Sequence, residues 1–271
     1  MDAHLVTLDR DHPGFRDREY RLRRDAIARQ AHDHHAGEPA PHVAYLEEEH
    51  GVWATALQAL KPLHQRYAAK SYLDAWPHAG FDLTRISQLA EISSRLERST
   101  GFRYAPVAGL VTPREFMERL AGRVFLATQY MRHPSAPLYT PEPDVIHELV
   151  GHAPSLLDER YARINQRFGE VTQASNDTVV EGLIRAYWYC LEFGLVREGT
   201  QLKAVGAGLL SSFGELGRFE KEATVLPFDL ELIAKTPFDP TQYQSTLFVA
   251  PSEAELLDGL HRWLDAQAPA K

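Results

Sequence analysis

Cysteine is nearly absent: Cys190 is the only one in 271 residues. A single thiol cannot close an internal disulfide, so the chain is no disulfide-stapled scaffold. No cysteine pair exists for a zinc finger or an iron–sulfur cluster. No window approaches the ~18 consecutive apolar residues of a membrane helix. The opening residues, MDAHLVTLDRDHPGF, lack the apolar stretch of a signal peptide, so the cytoplasm is the expected location and no membrane partner is expected. Basic residues are outnumbered, 29 Lys and Arg against 37 Asp and Glu, for a formal charge of −8. That balance argues against a nucleic-acid-binding surface. Repeats, low-complexity tracts and interdomain linkers are missing too. What is present is a globular composition, 44% hydrophobic and 10% aromatic, long enough to bury a sizeable core. Histidine is the oddity, with 13 copies.

Residues 1–16 read as a polar arm and residues 17–267 as one domain. Asp17 to Ala36 patterns as a charged helix ended by a Gly/Pro break. Glu47 to Tyr67 puts Trp53, Leu57 and Leu60 on one helical face, and a third helix is expected from Ile86 to Leu96. Thr112-Pro113-Arg114-Glu115 is a capping box with proline at the first helical position. It is expected to open a helix carrying Phe116, Leu120 and Val124. Thr140-Pro141-Glu142-Pro143 reads as a cap leading into DVIHELVGH, and Ser252 with Glu255 opens a last helix. Strand signals are confined to Val107–Val111 and Thr246–Ala250. The expected class is mostly α (α+β), many helices with a small β-sheet in a single domain.

The densest chemical signal is PDVIHELVGH, with His147 and His152 five apart. At about 100° per residue, five residues carry the second ring about 140° past the first, so an ideal helix splays them. They converge only if the helix ends between them, as Gly151 and Pro154 allow, or distorts through a π-bulge. Two unrelated histidines at a helix end are the ordinary alternative. The segment EGLIRAYWYCLEFGL is the most apolar helix candidate, and Glu192 falls four residues after Trp188, on or beside its buried stripe. A carboxylate there is costly unless paired or bound to a metal. Two histidines and one carboxylate with open positions make the facial triad of non-haem Fe(II) oxygenases. The same donors also build hydrolytic zinc sites, in which Glu148 would be the general base. The spacing of five and the aromatic neighbours Tyr187, Trp188 and Phe193 favour the oxygenase.

PEPDVIHELVGH, YWYCLEFGL and GAGLLSSFGEL together resemble the pterin-dependent aromatic amino acid hydroxylases, nearest their bacterial phenylalanine-hydroxylating members. FRDREYRLRR, RVFLATQYMRHPSAPLYTPEPD and LFVAPSEAELLDGL match in the same order, so the likeness runs almost the whole chain. It implies a catalytic domain of that type and conversion of L-phenylalanine to L-tyrosine with O2, Fe(II) and a tetrahydropterin such as tetrahydrobiopterin, in phenylalanine catabolism. Tryptophan or another ring position is the alternative within the family. The regulatory and tetramerising parts of animal members have no counterpart in the sequence, and a monomer is expected.

By the same resemblance His147, His152 and Glu192 hold the iron. Arg132 holds the substrate carboxylate, which suits a guanidinium by bidentate pairing, and Asp144 holds Arg132 in place. Thr140, Trp188, Phe193, Gly208 and Ser211 line the amino acid site. Gly109, Val111, Phe116, Glu148 and Tyr187 lie toward the pterin. Leu126, Pro113 and Val205 depart from the family pattern near the pterin. Asp239 falls one residue from where tyrosine-hydroxylating members carry an acid. His32, His34 and His35 read as a solvated helix end, and Cys190 as helix packing.

Overall fold

Asp17, Thr112 and Ser252 each accept a hydrogen bond from the backbone N–H three residues on, and so open helices Arg18–His32, Pro113–Leu120 and Glu253–Gln267. These come from a computed structural model that describes residues 8–268. Helix Glu47–Tyr67 buries Trp53, Leu57 and Leu60, the face its periodicity indicates. The next long helix runs Leu89–Thr100, three residues later than its pattern suggests. Tertiary bonds hold the chain extended there: Ile86 N–H donates to His50 Nδ1, and the Gln88 amide pairs with the Val43 backbone.

Six short strands among the described residues form two sheets: β1 (Arg103–Pro106) with β2 (Val124–Ala127), and β3 (Leu195–Glu198), β4 (Gln201–Ala204), β5 (Thr224–Pro227) and β6 (Thr246–Ala250) in the order β4-β3-β6-β5. β6 falls on its expected residues. The expected strand over Val107–Val111 does not form; β1 lies just before it. Val107 N–H makes a last rung to Ala127 O, but β2 ends there, and the chain past Val107 has no partner strand among the described residues. Val124 also differs from expectation. Helix Pro113–Leu120 stops short of it, Arg123 takes a left-handed φ of 53°, and Val124 begins β2. Helices Glu159–Ala174, Asp177–Tyr187 and Glu253–Gln267 pack around this frame and close one continuous apolar core.

Residues 8–16, the described part of the expected polar arm, form turns against the body; residues 1–7 lie outside the described residues. Leu8 and His12 are buried, and His12 Nε2 stands 3.4 Å from the Glu142 carboxylate. No helix among the described residues is long and apolar enough to cross a membrane.

Candidate metal centre

Both segments that carry the expected ligands leave the α-helix. His147–His152 is π-helical, and helix Asp177–Tyr187 continues as a π-helical turn over Trp188–Glu192. In a π-helix the hydrogen bond runs between residues five apart, so those residues stack one turn above the other. That is how a spacing of five puts two imidazoles on one side. The same ladder closes at Glu192, where Phe193 N–H donates to Trp188 O at 2.8 Å. Thr140 does not cap the first π segment, as its sequence suggests; its hydroxyl donates to Glu142 O within its own turn. Asp144 caps instead, its Oδ1 accepting from His147 N–H. Two buried tyrosines fasten the widened turn: Tyr104 donates to Glu148 O at 2.6 Å and Tyr72 to Val150 O at 2.9 Å. Gly151 lets helix Ala207–Ser211 lie against it, since a Cβ there would stand 2.8 Å from Ala207 O.

The donor atoms converge. His147 Nε2 and His152 Nε2 are 3.0 Å apart, and the Glu192 oxygens lie 3.7 Å and 3.3 Å from them respectively. Donors about 2.1 Å from a shared cation would stand about 3.0 Å apart at right angles and about 3.4 Å apart at tetrahedral angles. The donor separations therefore fit a metal ion that the three residues would share. Ser211 orients His147. Its hydroxyl donates to Ala207 O at 2.7 Å and so accepts from His147 Nδ1–H at 3.0 Å. That leaves the Nε2 lone pair for a metal. His152 is gripped by the Phe125 ring, 4.4 Å between centroids.

Glu148 competes with Glu192 for the role of third ligand, because it too has an oxygen within 4.8 Å of a nitrogen of each histidine. Geometry and charge favour Glu192. Glu148 Oε1 already accepts from Thr128 N–H and Oγ1 at 3.0 and 3.1 Å. Burial pushes the Glu148 carboxyl up to about 7, and His152 and the Thr128 bonds offset that only in part. Burial also opposes ionisation of Glu192, yet the facing His152 and His147 hold it below the usual carboxylate range. Burial drives His147 down to about 4, against the pull of Glu192. A neutral imidazole and an ionised carboxylate are the ligand forms a cation requires.

Arg132 and Asp144 form a buried pair beside the triad. Arg132 Nε and Nη2 donate to the two Asp144 oxygens at 2.8 Å each, and Arg132 N–H adds a third bond at 3.0 Å. Burial opposes ionisation of Asp144, but Arg132 outweighs it and holds the carboxyl below its ordinary value. Asp144 thus joins the guanidinium to the backbone of His147, a fixed link between two expected functions. Trp188 packs on Phe193 at 4.6 Å, and Gly208 makes room for that ring: a Cβ there would stand 2.7 Å from Phe193 Cζ. Phe116 meets Phe125 and Tyr187 edge-on at 5.0 and 5.7 Å, one ring removed from His152. Tyr187 is fixed by its hydroxyl donating to Asn165 Oδ1. Gly109 and Val111 lie in the irregular stretch before Thr112; among the described residues, no side-chain bond or ring contact ties them to the triad.

Several participants carry no signal in the sequence. Phe238 stacks on Trp188 at 4.2 Å and 12°, and Gln244 accepts from Trp188 Nε1 at 3.0 Å. Both lie in an irregular loop with no periodicity to expose them. Tyr104 has strand-like neighbours but no motif, and Phe125 and Thr128 fall inside RVFLATQYMRHPSAPLYTPEPD without a chemical signal of their own.

The family profile described as biopterin-dependent aromatic amino acid hydroxylase matches residues 2–267. The chain is 44% identical over 250 residues to human phenylalanine-4-hydroxylase, covering 90% of this chain and 55% of that protein. It is 42% identical over 270 residues to mouse tyrosine 3-monooxygenase, covering 96% and 54%. The chain thus spans little over half the length of these curated relatives. The structure of Chromobacterium violaceum phenylalanine hydroxylase with bound oxidized Fe(III) superposes with a TM-score of 0.78 at 29% identity, covering 89% of this chain and 93% of that one.

Proposed function

The chain belongs to the biopterin-dependent aromatic amino acid hydroxylases, and from that premise we propose that it is a non-haem iron, tetrahydropterin-dependent monooxygenase converting L-phenylalanine to L-tyrosine with O2. The observation that carries the reading is the convergence of His147, His152 and Glu192 beside a buried Arg132–Asp144 pair. Bound iron and tetrahydropterin supply the redox chemistry that activates O2. The chain's own residues supply position. His147, His152 and Glu192 would hold the iron, and three protein ligands would leave its other positions for exchangeable groups. Ser211 fixes the His147 tautomer. Arg132 spends Nε and Nη2 on Asp144, and Nη1 has no protein partner among the described residues, so it can meet a ligand carboxylate. Trp188 and Phe193 offer ring faces to the substrate side chain. Glu148, on the Thr128 side of the triad, and Phe116 border the pterin, where a carboxyl pushed up to about 7 can hold or release a proton at Oε.

Phenylalanine is favoured over tyrosine by the fate of Asp239. Its Oδ1 accepts from Thr241 within its own turn, through N–H at 2.9 Å and Oγ1 at 2.6 Å. That local bonding occupies one of the two oxygens by which an acid here could meet a phenol. The test is direct. Protein reconstituted with Fe(II) and given L-phenylalanine and a tetrahydropterin in air yields L-tyrosine in step with pterin oxidation. Hydroxylation of tyrosine or tryptophan in preference would overturn the substrate; hydrolase activity supported by zinc, with no pterin oxidised, would overturn the reaction class.

A further inference from the structure

Phe193 lies tilted against the Trp188 ring, and a second ring, Phe238, lies nearly parallel to it at 4.2 Å. Phe238 sits in an irregular loop, residues 237–244, that has no strand or helix to hold it. Three anchors hold that loop. Tyr189, which follows Trp188, donates its hydroxyl to Pro237 O at 2.7 Å. Asp239 closes a local turn on Thr241. Gln244 does the rest. Its Nε2 donates to Asp239 O at 2.9 Å and to Gln242 O at 2.7 Å, its Oε1 accepts from Trp188 Nε1 at 3.0 Å, and its backbone N–H donates to Glu215 Oε1 at 2.7 Å. A glutamine side chain has two N–H donors and one carbonyl, and every one is committed. Glu215 lies in the short helix Phe213–Leu216 that follows Ser211, so one residue joins the loop, the tryptophan and that helix.

We infer that Gln244 is a positioning residue for the aromatic amino acid site: it ties the 237–244 loop to the indole N–H, so that Phe238 backs Trp188 and the tryptophan face is held in one plane. This rests on the amino acid site proposed above. A ring stacked on one side and hydrogen-bonded at its edge has lost both the tilt and the rotation that would let it yield to a larger substrate. Aromatic pairs of this kind prefer fixed offsets, and Gln244 sets the offset without touching the substrate. The latch therefore acts on which ring fits, through selectivity and KM, and leaves metal binding alone.

The experiment compares iron-loaded wild type with Gln244→Leu, Gln244→Glu and Trp188→Phe. Gln244→Leu keeps the volume and removes all three side-chain bonds. Its KM for L-phenylalanine is expected to rise about fivefold to tenfold, the scale of one net hydrogen bond, with iron content unchanged. Its preference for phenylalanine over tryptophan, as a ratio of kcat/KM, is expected to fall by a similar factor. Gln244→Glu keeps the acceptor for Trp188 Nε1 but turns an acceptor oxygen toward the Asp239 and Gln242 carbonyls, so it should loosen the loop and lower that preference in the same direction as Gln244→Leu. Adding Gln244→Leu to Trp188→Phe should change selectivity little further, because the shared bond is already gone. If Gln244→Leu lowers kcat and the thermal midpoint but leaves KM and the substrate ratio as in wild type, the residue is structural only and the inference fails. If Gln244→Leu does not fold, additive effects of Gln244→Glu and Trp188→Phe on the ratio overturn it equally. Wild type inactive on every aromatic amino acid would instead refute the proposed function.

Discussion

Replacing Asp144 with alanine is the sharpest probe of how the site is held together. Asp144 is fully buried at 0% exposure and accepts from Arg132 N–H, Nε and Nη2 and from His147 N–H. Alanine leaves the Arg132 guanidinium, itself only 4% exposed, without its counter-charge. Removing one partner of a buried pair costs about 3–5 kcal/mol, a large part of the ~5–15 kcal/mol that holds a domain together. Asparagine keeps an acceptor for two of the bonds but is neutral and turns its N–H2 toward the other two donors, so it should cost about as much. Because the loss is an unpaired charge rather than a missing contact, replacing both residues, Arg132→Met with Asp144→Leu, should recover most of the stability. The pH dependence has a definite sign. The folded carboxyl lies below its ordinary 3.8, so its contribution is complete above 3.8 and is lost as pH falls through the lower folded value. Urea unfolding of metal-free protein, followed by far-UV circular dichroism, measures the difference. A cost below about 1 kcal/mol at neutral pH would show that the pair does not hold the site together, as would a double variant less stable than Asp144→Ala alone.

Glu192→Ala should strip bound iron, whereas Glu148→Gln should retain it; elemental analysis after gel filtration separates the two, and the reverse pattern would make Glu148 the ligand. Ser211→Ala removes the acceptor for His147 Nδ1–H and should weaken iron binding about tenfold to a hundredfold, read by competition with a chelator. Arg132→Ala should raise the phenylalanine requirement by the equivalent of about 2–5 kcal/mol, with tetrahydropterin KM nearly unchanged. Tyr104→Phe, which unfastens the π turn at Glu148 O, should cost about 1 kcal/mol in urea unfolding.

Local chemistry is the most legible part of the chain. Asp17, Thr112 and Ser252 announce their helices because a capping oxygen and its N–H partner lie three residues apart, inside any short window. β6 reads correctly because Thr246–Ala250 is apolar and β-branched. The spacing of His147 and His152 already requires a break or a π-bulge, since an α-helix cannot bring them together; that it is a π-helix is decided by packing against Ala207–Ser211, which no window contains. Thr140 misleads because its hydroxyl has a nearer partner in Glu142 O, leaving Asp144 to cap. β1 sits earlier than its pattern because a strand forms only where a partner runs alongside, and β2 stops at Ala127. Phe238 and Gln244 are invisible in advance: their roles come from a loop folded across Trp188, a contact between residues about fifty apart.

The two π turns have a consequence for how such a centre can be lost. A π turn holds one residue more than an α turn, so its ligands stay together only while the wider hydrogen bonds hold. If the His147–His152 turn tightened to α geometry with all its residues kept, His152 would come to lie about 140° round from His147 while the flanking helices kept their sequence and their apolar faces. The centre therefore depends on backbone hydrogen bonding as much as on residue identity. A substitution that freed the turn from its anchors would silence it in a chain that still reads, residue for residue, as having all three ligands.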